Sequence, residues 1–200
     1  MRAAQLNARP PRRRAQTTQA DGQQHSACNL LARDFTADAP NRKWRVDITG
    51  MWTDEGWLYL AGVLDLCSRR LVGWAMDEHR PDELTQEALE MAILQRRPAD
   101  QRLHQADQGS QFTRDDYQAR LAKHPLLTSF SGVGGGDDNA PMQSFWATLK
   151  TDLVYRQHYR TRAEANTAIF ASLETGYNRQ PRHSTLGYLS PDHVEQQFLP

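Results

Sequence analysis

The stretch Trp44–Met76 (WRVDITGMWTDEGWLYLAGVLDLCSRRLVGWAM) carries three strand signals in a row. Trp44–Met51 has strand character. Gly56 then leads into Trp57–Asp65, where Leu58, Tyr59, Leu60, Val63 and Leu64 make a long apolar strand. Ser68-Arg69 reads as a turn, and Arg70–Met76 as the third strand. Three strands joined by short turns predict an antiparallel meander.

The pattern changes downstream. Pro81–Arg97 carries Leu84, Ala88, Met91, Ala92 and Leu94 at helical spacing, with Pro81 placed to start a helix and Pro98 just past its end. Arg102–Asp107 is a short strand, Thr113 caps a helix to about Lys123, and Leu126–Phe130 is another strand. Ser131–Asp138 (SGVGGGDD) is a loop, because its glycines favour neither helix nor strand. Asn139 then caps a helix with Pro141 in its first turn and an apolar face of Met142, Phe145, Leu149 and Leu153. A further helix covers roughly Arg162–Tyr177, and a short one follows Pro191. This order is that of a mixed α/β domain.

Upstream, residues 1–40 show little periodicity and read as an arm or linker, leaving 41–200 as the core with a helical tail. The formal net charge is zero, so no global signal announces a nucleic-acid partner. The distribution is more telling. Residues 1–20 hold Arg2, Arg9, Arg12, Arg13 and Arg14 and no acid, which suits phosphate contacts as well as it suits a solvated tail. Cys28 and Cys67 form no CxxC pair and read as reduced thiols of a cytoplasmic protein. No apolar run is long enough for a membrane span, and the basic start has no apolar segment behind it to make a secretory signal.

Two aspartates stand where strands end or pass. Asp47 lies between Val46 and Ile48, although strand interiors are depleted in Asp. Asp107 closes its strand before Gln108-Gly109-Ser110. Each alone fits a turn or cap. Together, carboxylates at neighbouring strand ends can converge on hard cations such as Mg²⁺, which take oxygen ligands and support in-line phosphoryl transfer.

Five segments resemble one family: WRVDIT (Trp44–Thr49), GWLYLAGVLDLCSRRLVGW (Gly56–Trp74), DQGSQF (Asp107–Phe112), DNAPMQSFWATLKTDLVY (Asp138–Tyr155) and YNRQPRHSTLGYLSP (Tyr177–Pro191). They are similar to the integrase-type core of insertion-sequence transposases made by frameshift fusion, over roughly residues 28–195. The resemblance implies an RNase H-like fold, with a five-stranded mixed sheet flanked by helices. It also implies an Asp-Asp-Glu triad that cuts and joins DNA with Mg²⁺ or Mn²⁺, two ions when DNA is bound. Asp47 and Asp107 match the two aspartates and would hold metal. The family's spacing of 35 residues before the glutamate puts the third ligand at position 143, which here is Gln143 in Met142-Gln143-Ser144-Phe145.

Glutamine keeps the size and one carbonyl oxygen but loses the charge that hard cations prefer. The expectation is weakened metal binding and impaired strand cleavage. Asp152 lies nine residues on, about half a turn around an α-helix and ~13 Å along it, so it cannot stand in. The resemblance also implies basic residues against DNA in the loop Ser131–Gly136, and this sequence has none there. Lys150 follows Gln143 and Ala147 along one helix side, toward the DNA groove. With Arg12, Arg13, Arg14, Arg179 and Arg182 it completes the candidate DNA contacts, Arg179 and Arg182 having tail-holding as the alternative. Trp52, Trp57, Trp74 and Trp146 read as core. The opening resembles the end of an upstream DNA-binding region, whose loss would leave weak, salt-sensitive binding. The expected partners are double-stranded DNA, both transposon ends and target, and further copies of the chain on it, in the cytoplasm at the nucleoid. The alternative is a catalytically inactive, truncated protein that only binds DNA or interferes.

Overall fold

The computed structural model describes residues 34–79, 81–97, 102–106, 119, 121–122, 124, 126–130, 139–180 and 184–199. The meander is present as β1 (Lys43–Thr53), β2 (Gly56–Asp65) and β3 (Leu71–Asp77). β1 and β2 pair antiparallel without interruption from Trp44↔Asp65 to Thr53↔Gly56. Gly56, at φ 114°, makes the reversal that a residue with a Cβ would strain to adopt. β2 and β3 also pair antiparallel, with a register shift between Val63 and Leu64.

After α1 (Pro81–Arg96), the chain adds β4 (Arg102–Ala106) and β5 (Leu126–Phe130), both parallel to their neighbours. The five strands lie in the order β3-β2-β1-β4-β5. Then come α2 (Ala140–Leu149), a π-helical turn Lys150–Val154, α3 (Arg162–Ala171) with a second π-helical stretch Ser172–Tyr177, and the short α4 (Pro191–Gln196). The expected helix over 162–177 is thus one element that widens halfway. Of the helix expected at 113–123 only residues 119 and 121–122 are described, with 119 and 121 helical, and the loop 131–138 lies outside the described residues.

Side chains alternate across a strand, and this divides the sheet into two apolar faces. Trp44, Val46, Ala61, Val63, Val72 and Ala75 pack on one side with Leu84, Ala88, Leu89 and Ala92 of α1. Contact there is tight because Gly73 has no side chain: a Cβ on it would fall against the Ala88 carbonyl and 2.7 Å from the Ala92 nitrogen. Met51, Leu58, Leu60, Leu64 and Leu71 pack on the other side with Met142, Phe145, Trp146 and Leu149 of α2 and Ile169 of α3. Leu94 was expected on α1's inner face, but it is exposed, and Leu89 fills the core instead. Trp52 and Trp57 are also not core. They sit exposed near the β1–β2 turn, packed edge-to-face on each other at 5.3 Å.

The β2–β3 turn is held by the buried Asp65 carboxylate, which accepts from the Asn41, Cys67 and Ser68 amides and the Ser68 hydroxyl. Burial pushes Asp65 above the usual carboxylate range, and the amide donors oppose this. The tail locks onto the same region. Asn178 bonds both the amide and the carbonyl of Leu71, Arg70 pairs with Asp192, and Arg96 clamps Glu195 at 2.9 Å.

Candidate functional site

Asp47 lies on the α2 side of the sheet, on the same strand face as Arg45, Thr49 and Met51. It is half-buried, and both carboxylate oxygens are engaged. Oδ1 accepts from the Ile48 amide at 2.8 Å. Oδ2 accepts from Asn139 Nδ2 at 2.8 Å and from Trp146 Nε1 at 3.0 Å. Asn139 also uses its Oδ1, accepting from the Nε of the fully buried Arg45 at 3.0 Å. One amide side chain therefore bridges a buried guanidinium and a carboxylate. Such charge-assisted bonds are stronger than neutral ones.

This corrects the capping expectation. Asn139 stands at the helix start but makes no side-chain cap bond, because Arg45 and Asp47 take its amide. Trp146 was expected as core; it is buried, and its indole N–H also reaches Asp47. The register explains how. Gly62 pairs directly with Asp47 across β1 and β2, and a Cβ there would meet Trp146 Cη2 at 3.0 Å. The missing side chain lets the indole lie close over the sheet.

Asn139, Gln143 and Trp146 recur at four- and three-residue steps, within an arc of about 60° at about 100° per residue. Gln143, half-buried, thus stands between the two residues that hold Asp47. Ala147, exposed, and Lys150, half-buried at the end of α2, continue along this side. Asp152 falls where the helix has widened into the π turn, so the α-helical angle no longer describes it. It pairs with Arg156 at 3.4 Å. Behind the site, on β4, His104 is fully buried; desolvation and the Arg45 cation hold its pKa down at about 3, so the ring is neutral. Arg179 is exposed at the end of the second π-helical stretch.

β4 ends at Ala106, one residue past the Arg45↔Gln105 pair, and Asp47 lies two residues past that pair on β1. Asp107, Asp137, Asp138, Arg12, Arg13, Arg14, Arg182 and Cys28 lie outside the described residues. Among the described residues, no group of three or more His, Cys, Asp and Glu could hold a metal. At this site they supply one carboxylate, already bonded by three N–H donors, and the neutral carboxamides of Asn139 and Gln143. That set alone does not fit a hard divalent cation. Sequence reasoning missed Arg45, Gly62, Asn139 and Trp146 as parts of the site. The repeat at 139, 143 and 146 was the signal available for the last two.

Comparison with known proteins agrees with this architecture. An integrase core domain model matches residues 37–135, and a second matches residues 126–191. Transposase InsF for insertion sequence IS3fB of Escherichia coli (strain K12) is 44% identical over 172 residues, 86% of this chain and 59% of that protein. The uncharacterized 31 kDa protein of insertion element IS600 from Shigella sonnei is 40% identical over 96% of this chain and 71% of its own length. A chain of the simian T-cell lymphotropic virus intasome, solved in complex with PP2A regulatory subunit B56 gamma, superposes with TM-score 0.65 at 13% identity, covering 82% of this chain and 58% of that one. The HTLV-2 integrase catalytic core domain in complex with magnesium gives 0.56 at 15% identity, covering 80% and 99%.

The fold is therefore the RNase H-like one of integrase catalytic cores, a mixed sheet flanked by helices. The chain belongs to the integrase core domain family of insertion-sequence transposases. It spans about 59% of the length of the InsF relatives it matches. No helix among the described residues is long and apolar enough to cross a membrane.

Proposed function

We propose that this chain is the core of a DNA transposase, built for metal-dependent strand cleavage and strand transfer, and impaired because position 143 is glutamine. The observation that carries the reading is the α2 stripe: Gln143 stands between Asn139 and Trp146, both bonded to Asp47. Asp47, Asp107 and position 143 form the catalytic set, and Asp47 and Asp107 are the metal ligands, for Mg²⁺ or Mn²⁺. The end of β4 beside β1 supports the pairing of the two aspartates. A carboxamide at 143 supplies no charge, so metal is held weakly. Lys150, Arg179, Arg182 and the arm residues Arg12, Arg13 and Arg14 contact the phosphates of double-stranded DNA, in a homo-oligomer assembled on that DNA at the bacterial nucleoid. Residues 41–200 form the core and 1–40 the arm.

The test is strand transfer of pre-cut terminal DNA with Mg²⁺ or Mn²⁺, comparing this chain with Gln143→Glu, beside calorimetric titration of each with the metal alone. Activity and metal affinity rising together in the glutamate form support the proposal; equal activity in both refutes it. A second reading is a non-catalytic DNA-binding or interfering protein. The neutral amide at 143 favours it, and an inert Gln143→Glu that still binds DNA would establish it. Tight gel-shift binding to one terminal repeat alone would sink the expectation of weak, largely non-specific contacts.

A further inference from the structure

On the side of α2 away from Asp47 lies a cavity of about 310 Å³. Among the described residues its lining includes Arg69, the aromatic rings of Phe145 and Tyr177, and the hydroxyl residues Ser144, Thr148 and Thr185, and no carboxylate. Arg69 is an unusual cation. Among the described residues its Nη1, a buried atom, has no hydrogen-bond partner. Asp65, the nearest acid on the same turn, spends its oxygens on the turn amides and the Ser68 hydroxyl. Desolvation lowers the Arg69 pKa, and Tyr177, Asp65 and Cys67 nearby oppose this.

The backbone holds Arg69 there at a cost. Its φ is 60°, a left-handed conformation that L-residues seldom adopt. The Tyr177 hydroxyl donates to the Arg69 carbonyl at 3.0 Å and keeps the turn in place. Partial desolvation of the half-buried guanidinium is destabilising, and so is a left-handed arginine. Both persist in a turn that glycine would relieve. Strain retained in this way keeps the guanidinium in the wall of the cavity, where an anion can take up the spare donors of Nη1.

We propose that this cavity binds a phosphate oxyanion of the DNA backbone, with Arg69 as its charged donor. The planar guanidinium is suited to phosphate geometry. Hydroxyls of Ser144 and Thr185 offer further donors, and the first turn of α2 (Ala140 and Pro141), which carries no acid, faces the same space. The contact reads no sequence; it sets the position of the duplex against the helix that carries position 143. This assignment rests on the DNA-acting reading above.

Arg69→Gly separates a ligand site from a structural one, because glycine accepts the positive φ and removes the guanidinium. Two measurements are made on the whole chain, Arg69→Gly and Arg69→Lys: melting with and without inorganic phosphate at matched ionic strength, and anisotropy of a random-sequence duplex between ~50 and ~200 mM salt. The expectation is that phosphate raises the Tm of the parent and not of Arg69→Gly, whose own Tm is no lower. The slope of log affinity against log salt should fall by about one in Arg69→Gly and be retained in Arg69→Lys. An unchanged slope with a lowered Tm marks a structural arginine and overturns the proposal. Phosphate stabilisation with an unchanged slope overturns the DNA assignment in favour of a free oxyanion. Strand joining is not read here, so an inert Gln143→Glu would defeat the functional reading and leave this result standing.

Discussion

Placing a methyl group at Gly62 and removing the indole of Trp146 should each destabilise the protein, yet partly cancel when combined. In Gly62→Ala, the new Cβ meets Trp146 Cη2 at 3.0 Å, Cζ2 at 3.5 Å and Leu71 Cδ1 at 3.1 Å. Overpacking of this kind costs ~1–3 kcal/mol, and the stiffer unfolded chain returns ~0.4–1 kcal/mol. The net expectation is a loss of about 1 kcal/mol. Trp146→Phe removes the indole N–H that bonds Asp47 Oδ2 at 3.0 Å. A hydrogen bond to a charged group contributes ~1.5–3 kcal/mol, so a loss of about 2 kcal/mol follows. Phenylalanine also lacks the two ring carbons that the Gly62 methyl strikes. In that background Gly62→Ala should cost almost nothing, because only the movable end of Leu71 remains in its way. The coupling between the two sites is therefore about 1 kcal/mol in favour of the double variant. Urea unfolding of the four proteins, followed by far-ultraviolet circular dichroism because a fluorophore is being changed, measures it. Additivity within ~0.3–0.5 kcal/mol would refute the placement of the indole over Gly62, and with it the account of how Asp47 is held.

Other outcomes follow from the same packing. His104 is neutral in the folded protein down to about pH 3, against an ordinary value of 6.5. Between those values the unfolded chain binds the extra proton, so stability should fall as pH drops, by up to ~1.4 kcal/mol per unit. Denaturant titrations at several pH values should show a shallower fall in His104→Gln; parallel curves would contradict the burial argument. In Gly73→Ala the added methyl runs into backbone of α1 at Ala88 and Ala92, which cannot rotate aside. A loss of about 3 kcal/mol or more is expected, lowering Tm by about 6–12 °C for a chain of this size. A melt within a degree or two of the parent would mean that α1 does not sit on β3 as described.

Much of the fold is legible in the sequence. β1, β2 and β3 announced themselves through apolar runs and the turn residues at Gly56 and Ser68-Arg69, because strand length and turn chemistry are local properties. Pro81 and Pro141 marked helix starts for the same reason. What failed was burial at the ends of elements. Trp52 and Trp57 are as apolar as Trp44, but they lie on the strand ends that α1 leaves uncovered. Asn139 has the residue type of a cap, and only the arrival of Arg45 and Asp47 beside it gave its amide a stronger use.

The sequence by itself determined the family through its motifs, and a spacing supplied the expectation that position 143 is the third ligand; that residue 143 is glutamine needs no structure to see. Tertiary structure decided what surrounds that position. Gly62, Asn139, Trp146 and Arg45 converge on Asp47 from two strands and a helix, and the cavity beside Arg69 exists only where the β2–β3 turn meets α2. The reason is physical. Propensity and periodicity are written in neighbouring residues, whereas hydrogen bonds between Asp47 and Trp146 join groups 99 positions apart, and nothing short of the packed sheet brings them within 3.0 Å.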